Sequence, residues 1–109
     1  MTSTDFVMVQ TTTDSAEEAE RLASAVVEQQ LGACVQVSEI RSVYRWQGQT
    51  HQDPEYLLSI KTTSAAVAGL FRLLRQQHSY EEPEMVVLPI IDGSTGYLQW
   101  VAESINSNP

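Results

Sequence analysis

Cysteine is almost missing from this chain: Cys34 is the only one in 109 residues, so no disulfide closes within it. Apolar runs are short, and none approaches the ~20 residues that span a bilayer. Basic residues are scarce as well, six Lys and Arg against fourteen Asp and Glu, for a formal net charge of -8. Such a surface repels phosphate backbones and anionic membranes, which argues against nucleic acid and membrane as partners. Metal-ligand spacings are absent too: there is no CxxC, no HxH and no HxxxH. The opening Met1-Thr2-Ser3-Thr4-Asp5 has neither the basic start nor the apolar run of a secretory signal, so the expected location is the cytoplasm.

What is present is globular. Hydrophobic residues make up 42% and charged residues 18%, and the length suits one domain over residues 1–109 with one core. Phe6-Val7-Met8-Val9 followed by Thr11-Thr12-Thr13 reads as a strand buried on both faces, at the centre of a sheet. Ser15 with Glu18 has capping-box spacing, and Ala19, Leu22, Ala23 and Val26 recur at helical period until Gly32 offers a stop. From Cys34 to Trp46 the period is two, with a phase slip near Ser38 and Glu39 that predicts a bulge or bend. Gln47-Gly48-Gln49 turns the chain back through Tyr56, Leu58 and Ile60 to Lys61, completing a long hairpin. Thr63 or Ser64 is placed to cap a second helix with Val67, Leu70, Phe71 and Leu74 on one face. Met85 to Ile91 reads as a fourth strand, and Pro89 within it assigns that strand to a sheet edge. Tyr97, Leu98, Val101 and Ile105 mark a short C-terminal helix, with Asn106 to Pro109 as a fraying tail.

The order strand, helix, strand, strand, helix, strand predicts an α+β, ferredoxin-like split βαβ sandwich, with an antiparallel sheet and both helices on one face. The hairpin strands are about twice the usual length of ~6 residues, so their ends project past the helices and need another cover. Either the C-terminal helix folds back over Tyr44 and Trp46, or another chain does.

Five segments then carry a specific match: Ala33-Cys34-Val35; Ser42-Val43-Tyr44-Arg45-Trp46-x-Gly48; Lys61-Thr62; His78-x-Tyr80-Glu81-x-Pro83-Glu84; and Tyr97-Leu98-x-Trp100. In this order and spacing the chain resembles the CutA family of divalent-cation tolerance proteins, from Phe6 to about Glu103. The resemblance implies a ferredoxin-like protomer, a homotrimer assembled by strand pairing between subunits, and a part in tolerance of copper and other divalent cations. It also implies a likeness to PII-type signal proteins, which hold small effectors in clefts between subunits. Three departures stand out: Ser79 where the family usually has proline, Gln36 for a common asparagine, and Ser38-Glu39 for Pro-Gly. Positions implicated in copper-binding relatives fall on Gln10, Gln77 and His78, of which only His78 ligates copper well.

His78 and Cys34 are accordingly the candidate ligands for Cu(II) or another divalent cation. Each has a plain alternative: His78 caps the end of the second helix, and Cys34 serves as a small core hydrophobe. Glu81, Glu82 and Glu84 read as a solvated loop, and His51 as surface. Tyr44, Trp46, Lys61, Tyr80, Glu84 and Trp100 mix rings with charges in the manner of an inter-subunit cleft, although each also suits packing between subunits. Three functions follow: a non-enzymatic trimer of metal response, a PII-like small-molecule sensor, and, ranked last, an enzyme using Cys34 or His78.

Overall fold

The computed structural model describes residues 5–105. Their elements are β1 (Phe6–Thr13), α1 (Ala16–Glu28), β2 (Cys34–Trp46), β3 (Gln49–Thr63), a 3-10 turn (Ser64–Ala66), α2 (Val67–Gln77), β4 (Val86–Pro89) and α3 (Thr95–Ser104). The sheet order is β2-β3-β1-β4, every pair antiparallel, which is the expected split βαβ topology. β1 is central, and Pro89 lies on an edge strand opposite Val7, where its missing N–H costs no ladder bond on the open side. That strand is shorter than the apolar run from Met85 to Ile91, although Ile90 adds a bond from its N–H to the Phe6 carbonyl.

Alternation in the strands separates two cores. Val7, Val9, Leu58 and Ile60 point to one face and meet Ala19, Leu22 and Val26 of α1 and Leu70, Leu73 and Leu74 of α2. Burying each large side chain there contributes about 1.5–3 kcal/mol. Phe6 points to the other face and packs with Ala33, Ala66, Val101 and Ile105, so α3 covers the opposite side of the sheet from α1 and α2. It does so at the Phe6 end, leaving Tyr44 and Trp46 exposed; the fold-back of the C-terminal helix over the hairpin does not occur.

The ends of α1 show which local signals acted. The Ser15 side chain accepts the Glu18 N–H at 3.1 Å, one half of the capping box. The helix closes at Glu28, before Gly32, through bonds from the Gln30 N–H to the Val27 carbonyl and the Leu31 N–H to the Val26 carbonyl. This is a Schellman closure, with Gln30 itself at φ 59°. Gly32 has a different purpose: a Cβ there would lie 2.6 Å from Val26 Cγ1 and 2.7 Å from Ile60 Cγ2. Thr63 takes the cap position of a 3-10 turn without a side-chain bond, and α2 begins after that turn from Ala66.

The hairpin register runs unbroken from Cys34 opposite Lys61 to Trp46 opposite Gln49, so the expected bulge near Ser38 and Glu39 is absent. Past that point the face carrying Ile40, Ser42, His51, Asp53 and Glu55 is half-buried and the opposite face is exposed. β1 stops pairing at Thr13 opposite Tyr56, and residues 49–55 of β3 have β2 alone as a ladder partner. Gln47 and Gly48 both take positive φ, 52° and 78°, as the two-residue hairpin turn that suits strand twist requires.

Candidate functional site

The projecting hairpin and the segment after α2 enclose a shallow cleft of about 360 Å³ lined by Asp14, Tyr44, Asp53, Pro54 and Tyr80. β2 supplies Tyr44, whose hydroxyl donates to Asp53 Oδ2 at 2.6 Å, and whose ring stacks on His51 across the strand pair at 5.4 Å. That bond to Asp53, with lesser burial, raises the Tyr44 phenol above its ordinary value. Tyr80 approaches from the other side and donates to Glu55 Oε2 at 2.9 Å. Burial first, and then the Glu55 bond, push its phenol strongly upward. Both phenols therefore stay protonated donors in a cleft lined by acidic side chains.

His78 stands behind Tyr80. It is the C-cap of α2, with its N–H on the Leu74 carbonyl and its side chain fully buried. The Tyr80 N–H donates to Nδ1 at 3.0 Å, so Nε2 carries the proton that reaches the Thr12 carbonyl at 2.7 Å. Both ring nitrogens are thus occupied, and an ion would have to displace one of these partners. Beside the ring, Glu18 accepts from the Thr13 hydroxyl at 2.8 Å, the Ser79 hydroxyl at 2.7 Å and the Ser79 N–H at 2.7 Å. Burial would raise its carboxyl, but the Ser79 and Thr13 bonds outweigh that and hold it below the usual value.

Cys34 lies elsewhere. It opens β2 opposite Lys61, while His78 contacts Thr12, whose β3 partner is Leu57. Four residues of strand, roughly 13 Å, separate those two rows, so the candidate ligands do not converge. Among the described residues no group of three His, Cys, Asp or Glu is disposed to hold an ion. The donors of one chain therefore do not fit a resident metal centre.

The six residues expected to line a cleft divide in the same way. Tyr44 and Tyr80 share the cleft. Lys61 lies roughly 25 Å along β3 from Asp53, where its ammonium donates to Gln36 Oε1 at 2.9 Å and stands 5.6 Å from the Tyr97 ring. Tyr97 in turn packs on Trp100, at 5.6 Å between ring centroids. Trp46 is exposed at the hairpin tip, and Glu84 is exposed in the segment before β4. Sequence reasoning missed Asp14, Asp53, Glu55 and Glu18; the alternation that places Asp53 and Glu55 on the Tyr44 face was readable, but their pairing with Tyr80 was not.

Comparison with known proteins now bears on these features. The family model described as "CutA1 divalent ion tolerance protein" matches residues 7–104. The chain belongs to that family. A divalent-cation tolerance protein CutA of Thermus thermophilus is 44% identical over 94 residues, covering 85% of this chain and 91% of its own. Human protein CutA is 42% identical over 90 residues, 82% of this chain but 50% of the human one, so the chain spans about half the length of that relative. The CutA structure from Synechococcus elongatus superposes with a TM-score of 0.92 at 38% identity, over 97% of this chain and 95% of that one. The CutA1 fold accounts for the open sheet and the long hairpin alike.

Proposed function

We propose that this CutA-family chain acts as a non-enzymatic homotrimer in the response to divalent metal ions, copper among them, with any metal contact weak and made between chains. The observation that carries this reading is the separation of His78 from Cys34, with both imidazole nitrogens already engaged, because a resident metal centre needs converging free donors. The wiring also disfavours nucleophilic catalysis. The Ser79 hydroxyl donates straight to Glu18, and His78 accepts from a backbone amide, so the His78 imidazole does not activate the neighbouring hydroxyl. Assembly is supported by the projecting hairpin, where Val43 is 63% and Trp46 56% exposed, and by a β4 edge whose residues are all exposed.

The test is calorimetric titration with Cu(II) and then Zn(II), run alongside His78→Ala and Cys34→Ala while light scattering follows the mass. Weak binding by a trimer, retained in both variants, is expected. Tight saturable binding lost in one variant would overturn the reading and name a ligand; a monomeric mass would overturn the assembly.

A second reading, a PII-like trimer holding a small molecule between subunits, is favoured by the cleft at Tyr44 and Tyr80. It expects saturable uptake of a metabolite without added metal.

A further inference from the structure

Glu18 holds the third position of a capping box, from which a carboxylate ordinarily returns to the N–H of its own cap. Here it turns inward instead. It is 6% exposed and takes both polar groups of Ser79, a residue 61 positions along the chain, together with the Thr13 hydroxyl. Arg21, one helical turn on, stands 3.8 Å from the same carboxylate and also reaches the Gln77 carbonyl at 3.2 Å, tying the end of α2 to α1.

Ser79 begins an arc, residues 79–82, that has neither helix nor strand. The arc hangs between two fixed points, the fully buried His78 side chain and the buried Pro83, while Glu81 and Glu82 are exposed. Within it Tyr80 is the residue that reaches the cleft, through the bond from its phenol to Glu55. Among the described residues, Glu18 and the neighbouring His78 are what grip the arc from the rigid body ahead of Tyr80. Hydrogen bonds to an ionised carboxylate are stronger than neutral ones.

We propose that residues 79–82 form a strap over the cleft and that Glu18, acting through Ser79, is the positioning residue that latches it. With the latch made, Tyr80 is a wall of the cleft; with it released, Tyr80 swings away from Glu55 and the cleft opens beside Tyr44. The backbone of His78, at φ -79° and ψ 142°, already has the conformation preferred before proline, so Ser79→Pro removes both bonds to Glu18 without forcing His78 to move.

Amide hydrogen exchange on the full chain at neutral pH tests this, comparing the wild type with Glu18→Gln, Ser79→Ala, Ser79→Pro and the Glu18→Gln/Ser79→Ala double variant. The Tyr80 amide is expected to exchange about tenfold faster in each single variant, and in the double variant no faster than in the singles, while the Val9 and Leu22 amides accelerate far less. Ultraviolet difference titration against a Tyr80→Phe reference should find the Tyr80 phenol moved back towards the ordinary tyrosine value. If Glu18→Gln fails to fold, the exposed Ser79 variants carry the test. Equal acceleration of Val9, Leu22 and Tyr80 would reduce Glu18 to a stabiliser of the fold. Unchanged exchange, additive effects or an unmoved phenol would each overturn the latch.

Discussion

The two halves of the hairpin are made of the same strands in one continuous register, yet they live in different solvents. At the stem, Leu58 and Ile60 are fully buried beneath α1 and α2; at the tip, Val43 and Trp46 lie open. Ladder hydrogen bonds are common to both, so they cannot be what distinguishes the regions. The stem is held by apolar burial against helices, whereas the tip has cross-strand pairs such as Tyr44 with His51, which contribute roughly 0.2–1 kcal/mol each. A two-stranded ribbon is marginal by itself. The tip thus borrows its order from the stem, and its apolar side chains are available for a partner.

Alanine substitution should expose this difference most strongly. Ile60→Ala is expected to cost about 2–5 kcal/mol in denaturant unfolding, and Val43→Ala less than about 0.5 kcal/mol in the isolated chain. A comparable loss at Val43 would mean that the tip is buried after all. The glycines sharpen the same contrast more gently. Gly32→Ala drives a Cβ into Val26 and Ile60 at the stem and should cost about 1–3 kcal/mol. Gly48→Ala meets open space at the tip and should cost only about 1 kcal/mol, from its φ of 78°. Equal costs would refute the idea that packing governs one region and backbone conformation the other.

The smallest effect is expected from acid. The fold lowers the Glu18 carboxyl, so its contribution is complete above the unfolded value of a glutamate and fades as pH falls through the lower, folded one. Thermal melts of wild type and Glu18→Gln should therefore differ at neutral pH and converge as the buffer is acidified past that range. Parallel curves throughout would remove Glu18 from the stem's stability.

Much of this arrangement was legible in the residues. Element order, the central β1, the edge position of Pro89 and the turn at Gln47-Gly48 each follow from a local signal with a single physical meaning. The failures arose where one signal had two meanings. The phase change near Ser38 suggested a bulge, but apolar alternation records which face is covered, and past the helices the covered face need not stay constant. Gly32 looked like a helix stop, whereas close packing demands it and Gln30 takes the left-handed turn. Ser15 and Glu18 suggested a complete capping box; the distant Ser79 claimed the carboxylate, and no short-range pattern reveals such a competitor. Likewise, the tyrosines of the cleft were visible, but the register and the path of residues 79–82 decided that Tyr44 and Tyr80 meet while Lys61 and Trp100 do not.

The distribution of indole rings has a practical corollary. The chain has two tryptophans, Trp46 at the hairpin tip and Trp100 on the outer side of α3, and neither belongs to a buried core. Intrinsic fluorescence is therefore nearly blind to whether the interior is packed, and its colour instead reports what lies against the two extremities of the molecule. A blue shift on concentrating the protein would record the arrival of a neighbour at one of those ends, and single Trp→Phe replacements would say which.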